Sequence, residues 1–253
     1  SLVFSSYYIN NPSSAFGHTF LRIRTKNSNT HSTQTRQELL DYGVNYGATV
    51  EDSSPLLYAF KGFFGFHRGY FTKLPYYYKV REYGDFESRD LWSYDLNLTP
   101  EEIERLIEHI WELGDTFFDY YFFTENCSYH MFSLLEAAAP RLELKKTLSK
   151  VALPSETLRV LTNTPGFIEN ITFRPSNAKI FKARFALLNP EEKELFTRLK
   201  NQNDSFLNSS QYTARSKADA LDAYFAYLDF RFAKDIVLER GDAYERKKKL
   251  LNL

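Results

Sequence analysis

One cysteine, Cys127, occurs in the chain, and the residues around it suit chemistry as well as packing. Thr124-Glu125-Asn126 precedes it with helix-capping types, and Met131, Leu134 and Leu135 follow at helical spacing. A thiol in that position sits in the first turn of a helix. There the macrodipole and free backbone N–H groups favour a thiolate and a developing oxyanion, which is what acyl transfer through a cysteine needs. The same local sequence also describes a buried cysteine packing a helix end, so the choice turns on whether a base accompanies it.

Five histidines compete for that role. His31 falls in a polar loop and His109 on a highly charged helix, and both read as solvated. His67, in Gly65-Phe66-His67-Arg68-Gly69, reads as a structural loop residue. His130 lies three residues after Cys127 and shares its helix face, but helical neighbours seldom reach in-line geometry, which makes it a supporting residue. His18 follows the small-residue turn of Ser13-Ser14-Ala15-Phe16-Gly17 and enters a strand, so it is the expected general base. Its second ring nitrogen needs an orienting partner, and Asn45 in Asp41-Tyr42-Gly43-Val44-Asn45-Tyr46 lies on the strand expected to pair with that of His18. A turn-capping role for Asn45 competes with this one. Asn126, Ser14, Tyr42 and His130 are the candidates for positioning a substrate carbonyl or its oxyanion, with Glu125 behind them.

Other chemistries find less support. Five scattered histidines and one cysteine give no metal spacing, no glycine-rich phosphate loop is present, and nothing calls for a cofactor. Glu82, Glu87 and Asp90 are the carboxylates a glycosidase would need, yet a chain that is 25% charged brings such residues close by chance. Lys+Arg and Asp+Glu are both 32, so no basic excess exists to bind a nucleic-acid backbone.

The elements that must position these residues come in two styles. Up to about Leu98 the chain reads as strands: Leu2–Ile9, Thr19–Arg24, Glu38–Tyr46, Tyr70–Tyr83 with Pro75 splitting it or marking an edge, and Arg89–Leu98. Thr99-Pro100-Glu101-Glu102 then opens a helix with a capping box, carried by Ile103, Leu106, Ile107, Ile110 and Trp111 and ended by Gly114. A second helix is expected from Cys127 to before Pro140. From about Leu148 the pattern is helical, with Leu221, Tyr224, Phe225, Leu228 and Phe232 on one face of a helix from about Lys217, and Arg246–Lys249 as a solvated terminus. The expected organisation is a catalytic domain over 1–147 and a helical part over 148–253.

Aromatic residues make up 17% of the 253, with 23 Phe and 18 Tyr. A well-filled core accounts for most of them; a surface meeting lipid is the alternative. The stretch Leu56–Phe66, with Phe60, Phe63, Phe64 and Phe66, is where lipid contact is expected if it is not core. No apolar run reaches the ~18 residues of a membrane span. No charged-then-apolar leader opens the chain, and a start at Ser1 without Met is expected of a processed or trimmed protein.

Several segments carry a resemblance. Pro12-Ser13-Ser14-Ala15-Phe16-Gly17-His18-Thr19, Tyr42-Gly43-Val44-Asn45-Tyr46, Glu87-Ser88-Arg89-Asp90-Leu91-Trp92, His109-Ile110-Trp111-Glu112-Leu113 and Tyr121-Phe122-Phe123-Thr124-Glu125-Asn126-Cys127-Ser128-Tyr129 occur in the order seen in one family, and Phe173-Arg174-Pro175-Ser176 extends the match. The chain resembles the Lnb-type periplasmic domain of bacterial lipoprotein N-acyltransferases. More distantly, a histidine preceding an Asn-Cys that opens a helix is similar to the permuted papain-like fold of lecithin-retinol acyltransferase relatives. The resemblance implies an α+β fold, with an antiparallel sheet packed on helices and a helical C-terminal portion. It also implies a bacterial periplasmic, membrane-associated location and a ping-pong transfer. In that reaction an acyl chain passes from a phospholipid to Cys127 as a thioester, then to the α-amino group of a diacylglyceryl-cysteine lipoprotein. A papain-like cell-wall amidase or peptidase, with a polar open cleft, and a non-catalytic lipid-binding or scaffold domain are the competing readings.

Overall fold

The computed structural model describes residues 1–8, 16–25, 39–49, 54–149 and 151–252. It divides into two compact units, Ser1–Lys79 with Leu91–Phe173, and Val80–Asp90 with Arg174–Leu253.

The first unit is built on a seven-stranded sheet. Its strands are β1 (Leu2–Ser5), β2 (His18–Ile23), β3 (Tyr42–Ala48), β4 (His67–Pro75), β5 (Leu91–Leu96), β6 (Phe117–Tyr120) and β7 (Ile168–Arg174), in the order β6-β4-β3-β2-β1-β5-β7. β2 pairs antiparallel with β3 through Leu21 opposite Val44, and with β1 through Ser5 opposite His18. Continuing the β2–β3 register sets Phe20 across from Asn45, with His18 two residues along on the same face, because strand side chains alternate.

Among the described residues, the helices of this unit are α1 (Pro55–Phe64), α2 (Tyr76–Val80, whose last residue passes to the second unit), α3 (Pro100–Glu112), α4 (Cys127–Ala138), α5 (Leu144–Thr147) and α6 (Pro154–Asn163). In α3 the Thr99 side chain accepts from Glu102 N and the Glu102 carboxylate accepts from Thr99 N, the reciprocal cap that its sequence predicts. α4 is apolar almost all round and buries most of its length. Met131, Phe132, Leu134, Leu135 and Ala138 pack with Leu2, Leu21, Val44, Tyr46 and Phe71 of the sheet and with Leu106 of α3. Each large side chain removed from water there contributes roughly 1.5–3 kcal/mol before entropy is counted. α4 is thus the central helix, and Cys127 is its first residue.

The second unit holds α7 (Asn177–Leu187), α8 (Pro190–Lys200), α9 (Ala214–Arg231), α10 (Ala233–Val237) and α11 (Gly241–Leu251). Leu195, Leu199, Phe206, Ala220, Ala223, Tyr224, Leu228 and Leu250 form its core. Segment 80–90 joins it through Ala178 N donating to Ser88 Oγ (2.8 Å) and Ser176 N donating to Asp90 Oδ1 (2.8 Å).

The fold is α+β, and several boundaries differ from the sequence reading. The strand expected over Tyr70–Tyr83 stops at Pro75, which brings no N–H to continue a ladder. The chain turns into α2 and then a π-helical stretch, Arg81–Phe86. β6 and β7 were not expected. β7 lies beside β5, so residues 148–173 belong with the sheet, and the division falls after Phe173 instead of at 147. The basic end is not simply solvated either: Arg246 pairs with Asp204, and Lys247 with Asp229 at 2.5 Å.

Candidate active site

Asn126 and Cys127 meet the sheet where β2 begins. Asn126 is the N-cap of α4: its Oδ1 accepts from Ser128 N (3.0 Å) and Tyr129 N (3.4 Å). Its Nδ2 donates to Phe122 O (3.0 Å) and Ala152 O (2.7 Å). Every polar atom of that side chain is therefore engaged in holding the turn, so Asn126 positions Cys127 and has no group left over for a substrate. Asn126→Ala removes a cap and two further hydrogen bonds, and we expect it to cost roughly 2–4 kcal/mol of stability, read by denaturant unfolding.

Cys127 is 3% exposed. The His18 side chain, and the Thr19 backbone and side chain, hydrogen-bond to its sulfur. On the other side of the imidazole, His18 Nε2 is bonded to Asn45 Oδ1. An amide oxygen only accepts, so Nε2 carries a proton and Nδ1 is left for the sulfur. Phe20 stacks against the imidazole at 6.3 Å, and Gly17 makes the turn into the strand with φ +91°, where an added Cβ would fall 2.7 Å from the Phe4 ring and 2.9 Å from Ser5 O. Glycine is required at that point.

Burial pushes the Cys127 thiol up. The charge and hydrogen bond of His18, with the two bonds from Thr19, outweigh it and lower the pKa from about 9 to about 6. The arrangement favours a thiolate beside the imidazole near neutral pH, with an amide fixing the ring. Its chemical competence is nucleophilic attack with proton return to a leaving group.

A cavity opens onto Cys127, lined also by Phe16, Gly17, Tyr120, Phe122, Asn126 and Pro154. Among the described residues, no charged side chain is in that lining. Phe122 is seated against α1: an added Cβ at Gly62 would overlap the Phe122 ring at 2.2 Å, and Phe122 N donates to Gly62 O (3.0 Å). Tyr120 was missed in the sequence, where nothing marked Phe117–Tyr120 as a strand ending at the thiol.

The remaining sequence candidates separate. His130 does not share the thiol's environment; it is buried in an aromatic cluster with Tyr46 (4.0 Å between centroids), Phe118 and Tyr129. Burial holds its pKa down to about 4 and its Nε2 has no hydrogen-bond partner among the described residues, so it remains neutral. Tyr42 is 40% exposed with Lys73 over its ring at 4.6 Å, and does not line the cavity. Glu125 is exposed. His67 opens β4 and is buried against Tyr58 and Phe122, and His109 pairs with Glu112 on the surface. Ser14 and His31 lie outside the described residues. Phe60, Phe63, Phe64 and Phe66 are more than half exposed, so Leu56–Phe66 is not a core helix and loop. Among the described residues no group of His, Cys, Asp and Glu is placed to hold a metal ion, and no helix is long and apolar enough to cross a membrane.

No curated protein and no solved structure matches the chain. Residues 1–164, which carry β1 to β6, α1 to α6 and the whole Cys127–His18–Asn45 arrangement, match the family described as the Lnb N-terminal periplasmic domain. The match covers well over half of the chain, which belongs to that family of periplasmic domains.

Proposed function

We propose that the protein is a lipoprotein N-acyltransferase working through a Cys127 thioester. The observation that carries this reading is the buried thiol at the start of α4, bonded to an imidazole whose far nitrogen is held by Asn45. In the first half-reaction the Cys127 thiolate attacks the ester carbonyl carbon of a phospholipid acyl chain. The tetrahedral adduct collapses, and the departing alkoxide takes the proton from His18 to leave as a lysophospholipid. In the second, the α-amino group of a diacylglyceryl-cysteine attacks the thioester, His18 takes its proton, and the thiolate is released as the amide forms. A thiol only 3% exposed limits competing hydrolysis.

The cavity at Cys127, about 20 Å³, has room for the reacting carbonyl, and its described lining carries no charged side chain, which supports a carbonyl borne on an apolar chain over one flanked by charged peptide. The aromatic strip supports a lipid source. Leu56 is 84% exposed and Phe66 65%, and a relay of rings, Phe63 to Phe123 (5.3 Å) and Phe123 to Phe16 (5.7 Å), runs from that strip to the cavity. Replacing Phe60, Phe63 and Phe64 together by serine removes three membrane-inserting rings. We expect partition onto phosphatidylethanolamine–phosphatidylglycerol vesicles to fall by at least about tenfold, at roughly 1.5 kcal/mol or more per ring fully inserted. Cys127 alkylation should be unchanged.

The direct test is intact-mass spectrometry after incubation with phospholipid vesicles and no acceptor. A hydroxylamine-sensitive acyl adduct on Cys127, discharged when a diacylglyceryl-cysteine peptide is added, is the expected result. A thiol that alkylates readily yet never acquires an acyl group overturns the reading.

A further inference from the structure

The first turn of a helix offers backbone N–H groups that the helix itself does not use, and an oxyanion beside a first-turn thiol would ordinarily be received there. In α4 those donors are already engaged. Ser128 N and Tyr129 N donate to Asn126 Oδ1, and His130 N donates to Asn126 O (3.1 Å). The Cys127 N–H makes its hydrogen bond to the Tyr120 hydroxyl. An oxyanion that recruited Ser128 or Tyr129 N–H would have to break the cap that holds the thiol in place.

Tyr120 occupies the position this leaves open. It ends β6, is 5% exposed and lines the same cavity as Cys127. Its ring is fixed by a stack on Tyr46 (5.6 Å, 14° between planes) and an edge contact with Phe122 (6.1 Å). A phenol oxygen that accepts from an amide retains its own proton to donate. We propose that the Tyr120 hydroxyl is the side-chain donor that receives the carbonyl oxygen when Cys127 attacks, making Tyr120 a catalytic residue of the acyl-transfer reaction set out above, on which this role rests. As the sulfur–carbon bond forms, the carbonyl π pair moves to oxygen and the O–H of Tyr120 turns to hydrogen-bond it. No proton is transferred, and the bond is released when the adduct collapses. Burial, then the neighbouring Cys127 charge, hold the phenol well above its ordinary pKa, so it remains a donor beside a thiolate.

The test compares two reactions of the same sulfur. Iodoacetamide alkylation proceeds by displacement and builds no oxyanion, whereas acylation by p-nitrophenyl butyrate or by phospholipid does. For Tyr120→Phe, which keeps the ring packing, we expect acylation to slow by about 10²-fold, in line with loss of one oxyanion donor. The alkylation rate and its pH midpoint should stay at the wild-type values, which also reports that the site is folded. An acylation rate equal to wild type overturns the proposal, because the amide uncovered by the substitution would then suffice. Equal losses in both reactions also overturn it, since Tyr120 would be acting through the thiol. If neither ester acylates the wild-type protein, it is the acyl-transfer reading itself that fails.

Discussion

Cys127→Ser is expected to lose acyl transfer completely, by a factor on the order of 10⁴ or more, while unfolding within about 1 kcal/mol of the wild type. The site is built for sulfur. A thiol lowered to about 6 is mostly thiolate at pH 7, whereas a serine hydroxyl in the same place remains protonated until a base removes its proton during attack. Stability should barely change because the exchange is nearly isosteric and the hydroxyl inherits partners on His18 and Thr19. The checks are vesicle-donor mass spectrometry for the adduct and denaturant unfolding for the fold. A variant that unfolds readily, with no activity in the wild type to lose, would identify the sulfur as a packing atom.

His18→Asn is expected to have the second-largest effect, and its signature is a displaced pH profile. In the wild type, alkylation of Cys127 should rise with pH and level off with a midpoint near 6, since only the thiolate reacts. Burial raises the thiol pKa and His18 is the leading influence opposing it, so removing the imidazole moves the midpoint up to at least about 8.5. The rate at neutral pH is a poor readout. A more basic thiolate is intrinsically more nucleophilic, which offsets much of its smaller population. Below pH 6 the population loss dominates and the variant should fall more than about tenfold behind. Acyl transfer should drop further, by about 10²–10⁴, because the leaving alkoxide also loses its proton source. A midpoint that stays near 6 in His18→Asn would remove His18 from the mechanism.

The sequence carried these two residues because their signals are local. Capping residues before Cys127 and apolar spacing after it are decided within one helix turn, and Gly17 before His18 marks a turn into a strand. Asn45 was legible one step further out, through the expected pairing of two neighbouring strands. Tyr120 was not legible. Phe117–Tyr120 is only four residues long, and its strand character comes from pairing with β4 across nearly fifty residues of sequence. His130 was misplaced for a related reason: helical spacing fixes the angle between it and Cys127 but not what covers that angle, and the sheet supplies Tyr46 there. β7 was hidden inside the stretch from Leu148 onward, whose pattern read as helical. Its neighbour in the sheet is β5, more than seventy residues earlier.

The close fit of Phe122 over Gly62 ties the outermost part of the first unit to its innermost. With no room for even a methyl group between them, α1 and the cavity wall move together or not at all, since packed interiors transmit displacement instead of absorbing it. The ring that meets Gly62 also lines the cavity at the sulfur, so a displacement at α1 has a wall of that cavity as its first neighbour. A bulkier residue at 62 would act as a wedge, altering how the thiol is sheltered from a site that touches none of the reacting atoms.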